Sequence, residues 1–337
     1  MKMINREKIV SKKIADLRSE YPFVDSFFED NKLDLESIGD MSFREYLNSY
    51  TLEEIDEWAI DTEKLEEDLA EYISQMVEFL GLEKDKVESL TILAGVNKSG
   101  ETESFGEFTI KRSEIVSIVG PTGSGKSRLL ADIEWAADGD TPTKRRILVN
   151  GETPDKSNRF STSNKLVAQL SQNMNFVMDL TVREFLELHA KSRLVENVEE
   201  MVQRIVEAAN ELAGEKFSLD TAVTGLSGGQ SRALMIADTA ILSTSPIVLI
   251  DEIENAGIDR KKALDVLVNE EKIVLMATHD PSLALMADRR IVIKNGGIKS
   301  IIETGPEEKA RLSELEAIDK LVSEMRTKLR NGETVGI

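Results

Sequence analysis

The sequence predicts an α/β fold preceded by a small all-α domain. Three observations lead to it. The stretch EIVSIVGPTGSGKSRLL, Glu114 to Leu130, passes from a β-branched apolar run through a glycine-rich loop into a helical pattern. Two further apolar runs, IVLIDE at 247–252 and KIVLMATHD at 272–280, have the length of strands buried on both faces of a parallel sheet. Residues 1–88 instead space their apolar positions by three and four: Leu52, Ile55, Trp58, then Leu65, Leu69, Ile73 and Met76, with Gly81 placed to stop the helix.

Composition narrows the class. The 337 residues suffice for one large domain and a small one. There is no cysteine, which excludes disulfides, Cys-ligated zinc and iron–sulfur clusters held by this chain. The two histidines, His189 and His279, lie far apart, against a His-rich metal site. A formal net charge of −20 argues against a generic grip on DNA or RNA. The basic N-terminus MKMINREKIVSKKIADLRSE lacks an apolar core, so it is no secretory signal. No run approaches the roughly 18 to 20 apolar residues of a membrane span. The expected compartment is the cytoplasm.

The elements follow in order. Residues 1–88 form an acidic helical accessory domain. SLTILAGV, FGEFTIKR and EIVSIVG read as short strands. TVREFLELHAKSRLVENVEEMVQRIVEAANELAG, about 181–214, reads as helical and ends on Gly214. His189, within it, reads as a surface residue. After the runs ending at Glu252 and Asp280, RRIVIKNGGIKSII reads as a hairpin around Asn295–Gly296. Residues 306–337 carry an amphipathic helix, whose stripe Leu312, Leu315, Ile318, Val322, Met325 and Leu329 is expected to pack on its own domain rather than form a dimer seam.

The loop at 120–127 matches G-x-x-x-x-G-K-[ST], with Gly120, Gly125, Lys126 and Ser127 at the fixed positions. Its glycines let successive N–H groups face phosphate oxygens, and the helix behind adds its positive end. Pro121, Thr122, Gly123, Ser124 and Arg128 complete the expected contact set. Lys126 is expected to reach the β- and γ-phosphates, and the Ser127 hydroxyl to join a Mg²⁺ shell. IVLIDE ends in two acids. Ligands of open α/β sheets lie at the carboxyl ends of strands, so both acids land near the phosphates. Side chains alternate along a strand, so they cannot share one job. Asp251 is assigned to the metal and Glu252 to the base that takes a proton from water. His279, at the next strand end, is placed to meet a γ-phosphate or the water.

A second glycine motif, LSGGQ at 226–230, lies about twenty residues before those acids. With the phosphate loop, the acidic strand end and His279, it resembles the signature of the ATP-binding cassette (ABC) ATPases. Gln172 sits nine residues before the Thr of a TV pair, where that family has its Q-loop glutamine. The resemblance covers about residues 90–305. It implies a P-loop NTPase of ABC type, with a mixed sheet core plus a helical subdomain at about 175–225, the ATPase domain spanning 89–305 and a small all-α N-terminal domain. It implies ATP and Mg²⁺ as ligands, with Gln172 at the metal and the catalytic centre. It also implies that Ser227, Gly228, Gly229 and Gln230 close over ATP held by a second cassette, with Asp259 coupling the two sites. The chain is then expected to form a homodimer or to pair with a similar cassette. The family's adenine-stacking aromatic is missing: Asn97 lies near its place, and Phe105 and Phe108 follow downstream. The segment IENAGID after Asp251–Glu252 is one residue longer than the transporter pattern before Asp259.

Two roles stay open at this level. The first is an ABC-type ATPase that remodels or activates a soluble client protein, supported by the acidic N-terminal domain. The second is the nucleotide-binding subunit of a membrane transporter with separate permease chains, met near Gln172 and Phe176–Asp179. A chromosome- or repair-type cassette ranks below both, because the chain is acidic and has no long coiled-coil insertion.

Overall fold

The computed structural model describes residues 6–33, 39–51, 53–55, 61–80, 86–155, 165–171, 176–252 and 257–334. Leu52, Trp58, Gly81 and Gln172 lie outside these residues. The chain divides into two compact units, Met1–Lys84 with Ser192–Glu196, and Asp85–Lys191 with Asn197–Ile337.

The first unit contains α1 (Arg6–Val10), α2 (Ile14–Glu20), α3 (Val24–Asp30), α4 (Phe43–Leu47) and α5 (Thr62–Leu80). These short helices are held by a shared core rather than by propensity. Ile14, Leu17, Phe28, Phe43, Leu69 and Ile73 are fully or almost fully buried in it. Ser42 caps α4 in a reciprocal box with Glu45. Arg44 grips both Glu7 and Glu66, and Arg6 reaches Glu66 and Glu67. The Arg44 hydrogen bond holds the Glu66 carboxyl below its usual range.

The second unit has two sheets. Strands β1 (Ser89–Leu93), β2 (Glu107–Lys111) and β4 (Arg146–Val149) form an antiparallel sheet in the order β2-β1-β4. The other sheet adds β3 (Ile115–Val119), β5 (Val167–Leu170), β6 (Ile247–Asp251), β7 (Ile273–Ala277), β8 (Arg289–Lys294) and β9 (Gly297–Glu303), in the order β5-β6-β7-β3-β8-β9. Its first five strands are parallel, and β9 returns antiparallel to β8. The hairpin turn has positive φ at both Asn295 and Gly296, as a tight two-residue turn demands.

Both apolar runs behave as doubly buried strands. Ile247, Leu249, Ile273 and Leu275 enter one core, with the antiparallel sheet and α6 (Lys126–Glu134). Their neighbours Val248, Ile250, Val274 and Met276 enter the opposite core, with α9 (Gly228–Ile241) and α10 (Arg260–Asn269). The period-two alternation thus feeds two cores from one strand.

The helical stretch expected over 181–214 is two helices, α7 (Val182–Ser192) and α8 (Val198–Leu212). Leu194 has φ +52°, and Asn197 caps the second helix, so the chain restarts there. After α11 (Pro281–Met286) and the hairpin, α12 spans Pro306–Arg330. Its stripe divides: Leu312 and Leu315 are half-buried, whereas Ile318, Val322, Met325 and Leu329 are exposed. Packing on its own unit therefore accounts for only the first turns of the stripe.

Candidate active site

The glycine-rich loop joins β3 to α6, whose N-cap is Gly125 at φ +112°. A Cβ at Gly125 would lie 2.8 Å from the Gly296 Cα, so only glycine fits between loop and turn. Gly123 faces open space on that side, leaving its backbone approachable. Lys126 is only 8% exposed. Its Nζ donates to Gly120 O at 3.0 Å and lies 2.9 Å from His279 Nε2. An ammonium can only donate, so this contact places the imidazole lone pair on Nε2. The Ser124 Oγ is buried without a hydrogen-bond partner. Pro121, Thr122, Ser127 and Arg128 are exposed around the loop.

Two neighbouring strand ends complete the cluster. Asp251 closes β6. Glu252 follows with φ +52°, a strained conformation for a residue with a Cβ, and its N–H donates to Ala277 O at 3.0 Å. That turn leaves Glu252 Oε1 4.0 Å from His279 Nε2. Thr278 is buried, and its N–H donates to Ile118 O on β3. Lys126, Glu252 and His279, more than 25 residues from one another in sequence, thus meet at the carboxyl ends of β3, β6 and β7. Among the described residues no three His, Asp or Glu side chains form a metal cage. The exposed Ser127 hydroxyl at the start of α6 and the Asp251 carboxylate at the end of β6 are oxygen ligands of the kind that a hard cation such as Mg²⁺ takes.

The signature motif begins α9, with Ser227 as N-cap. Ser227 and Gln230 satisfy each other: Gln230 N–H donates to Ser227 Oγ at 3.3 Å, and Ser227 N–H to Gln230 Oε1 at 2.9 Å. Gln230 Nε2 also donates to Glu215 O. Asp259 caps α10 through Lys262 N–H, and its own N–H donates to Leu212 O at 2.9 Å. Beside it, a Cβ on Gly257 would sit 3.9 Å from Gly229 Cα. The approach to the signature is thus made by Gly257, while Asp259 bonds to the end of α8 and to its own helix. The hydrogen bonds of Ser227 and Gln230 run to each other and to Glu215, and those of Asp259 to Leu212 and Lys262.

Several residues depart from expectation. Phe108 is buried in the core beneath the Arg289 guanidinium, 4.3 Å from its ring centre, and Phe105 packs half-buried against the same core. Burial closes the Phe108 ring to an adenine base. Asn97 folds a polar turn, its Oδ1 accepting from Ser99 and Glu101 N–H. Lys98 extends its Nζ to Gly123 O at 3.0 Å, a contact that no local pattern announces. His189 is not simply a surface residue: its Nδ1 lies 3.0 Å from both carboxylate oxygens of the buried Asp238 on α9.

Comparison with known proteins bears on this geometry. The family model described as ABC transporter matches residues 106–255. An uncharacterised ABC transporter ATP-binding protein of Methanocaldococcus jannaschii is 54% identical over 248 residues, which is 74% of this chain and 95% of that protein. The chain belongs to the ABC ATPase family. The energy-coupling factor transporter ATP-binding protein EcfA of Malacoplasma penetrans is 30% identical over 59% of this chain and 68% of its own. Among solved structures, cbiO1 of Clostridium perfringens, described as part of the ABC transporter complex cbiONQ, shares the fold with a TM-score of 0.50 at 24% identity. That match covers 71% of this chain and 95% of the other. This ABC ATPase is accordingly an ATP-binding, ATP-hydrolysing enzyme. Among the described residues, no helix is long and apolar enough to cross a membrane.

Proposed function

We propose that this ABC ATPase is the nucleotide-binding subunit of a membrane transporter, working as a dimer at the cytoplasmic face against separate permease chains. The observation that carries the reading is the convergence of Lys126, Glu252 and His279 at three strand ends, in a chain whose relatives bear the names of transporter ATP-binding proteins. This reverses the order in which the sequence ranked transport and the remodelling of a soluble client.

The chemistry follows from the residues. The N–H groups of 120–127 and the N-terminus of α6 hold the phosphates. Lys126 rests on Gly120 O and His279 Nε2, contacts that it exchanges for phosphate oxygens when nucleotide arrives. The Ser127 hydroxyl and Asp251, with Gln172 as the family resemblance implies, would hold a Mg²⁺ ion, which would supply charge neutralisation at the phosphates. Glu252 takes the proton of the attacking water, and His279 orients the γ-phosphate side of the site. Ser227, Gly228 and Gly229 present the N-terminus of a 14-residue helix to nucleotide held by the partner cassette. Asp259, exposed at the N-cap of α10 two residues after Gly257, relays closure between the two sites.

The test is to express Glu252→Gln at native level, hold it in MgATP and isolate what remains bound from detergent-solubilised membranes. Recovery of a polytopic membrane protein supports the transporter reading. Recovery of a soluble enzyme alone, lost when residues 1–84 are removed, replaces it with remodelling.

A further inference from the structure

A phosphate loop binds well only if its backbone N–H groups already point at the phosphates. The loop at 120–127 owes its shape to what lies behind it. Gly296 N–H donates to Ser124 O at 2.7 Å, and Gly296 Cα packs against Gly125. Lys98 Nζ donates to Gly123 O, while Lys98 N–H donates to Asn295 O at 2.9 Å. The support is thus the β8–β9 turn and the 94–104 loop.

One side chain ties both to α6. Arg145 is completely buried. Its Nη2 donates to Gly296 O at 3.0 Å and to Glu103 Oε1 at 2.5 Å, its Nε to Glu103 Oε2 at 3.1 Å, and its Nη1 to Asp132 Oδ2 at 2.9 Å. Glu103 also accepts from Gly95 N–H at 2.8 Å and Ile298 N–H at 2.5 Å, so it staples the 94–104 loop to the hairpin. Asp132 stands on α6, the helix that opens with Lys126. The trio carries an excess negative charge, and Asp132 Oδ1 is buried without a partner. A buried ion trio is by itself weak evidence for a gain in stability. What the guanidinium fork supplies is fixed direction toward three chain segments at once.

We propose that Arg145 is a positioning residue for nucleotide binding: with Glu103 and Asp132 it locks the β8–β9 turn and the 94–104 loop to α6, and so holds the phosphate loop in binding geometry before nucleotide arrives. The proposal rests on the assignment of 120–127 as the phosphate site, which Lys126→Ala tests separately.

The experiment uses the full chain. Arg145→Lys keeps the charge but loses the fork. Equilibrium binding of a non-hydrolysable ATP analogue, steady-state kinetics and amide exchange of residues 120–127 without nucleotide are compared with wild type. Affinity is expected to fall about tenfold, with amide exchange across the loop faster by a similar factor. The kcat at saturating ATP should stay within about twofold, because Arg145 touches no reacting atom. A folded Arg145→Lys protein with wild-type affinity and exchange overturns the proposal. If Arg145→Lys does not fold, the neutral combination Arg145→Met, Glu103→Gln and Asp132→Asn takes its place. Folding with weakened binding supports positioning, whereas wild-type binding, or failure of this neutral trio to fold as well, overturns it. Lys126→Ala with unchanged affinity would instead locate the fault in the phosphate-loop assignment.

Discussion

Gly125→Ala is a perturbation whose size can be worked from the structure. Two costs arise. At φ +112° the alanine backbone is strained, a penalty on the order of 1–3 kcal/mol. The added Cβ would also lie 2.8 Å from the Gly296 Cα, a backbone atom that cannot rotate away. Restoring an ordinary carbon–carbon separation of about 3.5 Å requires loop and turn to part by roughly 0.7 Å. Misplacement approaching 1 Å at a catalytic loop costs on the order of a hundredfold in rate. The expected result is a folded protein whose kcat/KM for ATP falls by about that factor. Gly100→Ala is the control: its φ is +83°, but nothing lies within 4 Å of a Cβ there, so it bears strain without collision. ATPase kinetics and circular dichroism on both variants decide the matter. Equal kcat/KM for Gly125→Ala and Gly100→Ala would refute the claim that the close turn sets the loop's position.

Other outcomes are expected together. Glu252→Gln keeps ATP affinity but lowers kcat by at least about a hundredfold, measured by phosphate release, because the amide cannot take a proton. An active variant would remove Glu252 as the base. Ser227→Arg leaves ATP binding by the isolated chain intact while abolishing ATP-dependent dimers in light scattering; normal dimers and turnover would contradict the composite site. Burial raises the Glu103 carboxyl pKa, but hydrogen bonds from Arg145, Gly95 and Ile298 outweigh it and hold the group below its ordinary value of 4.5. Between the folded and unfolded pKa values the unfolded state binds more protons, so stability rises with pH there. This contribution is complete above about pH 4.5 and is lost as pH falls through the folded value. Glu103→Gln should therefore flatten the acid limb of a Tm-against-pH curve, and an unchanged acid slope would count against the paired state of Glu103.

The short-range features were legible because their physics is local. A glycine at a positive-φ loop position, an N-cap serine three residues before its glutamine, and doubly buried strands ending in acids are each written within a few consecutive residues. The phosphate loop, the signature helix, the Asp251–Glu252 strand end and the Asn295–Gly296 hairpin were all readable on those grounds. Contacts between distant segments were not. Arg145 sits among Lys144 and Arg146, a run that reads as surface, yet it is buried because Glu103, 42 residues away, folds over it. His189 looks like one more polar residue on a helix until α9 brings Asp238 beside it, 49 residues on. The break at 193–197 was missed because polar and apolar spacing continue across it, and the exposure of Ile318 to Leu329 because a stripe says nothing of where its cover ends. The sequence by itself determined the nucleotide chemistry, since phosphate recognition needs backbone conformations that a few adjacent residues specify. Only the tertiary structure decided which strands neighbour one another, how Lys126, Glu252 and His279 meet, and what braces the loop from behind, because each depends on pairing segments whose local patterns do not name their partners.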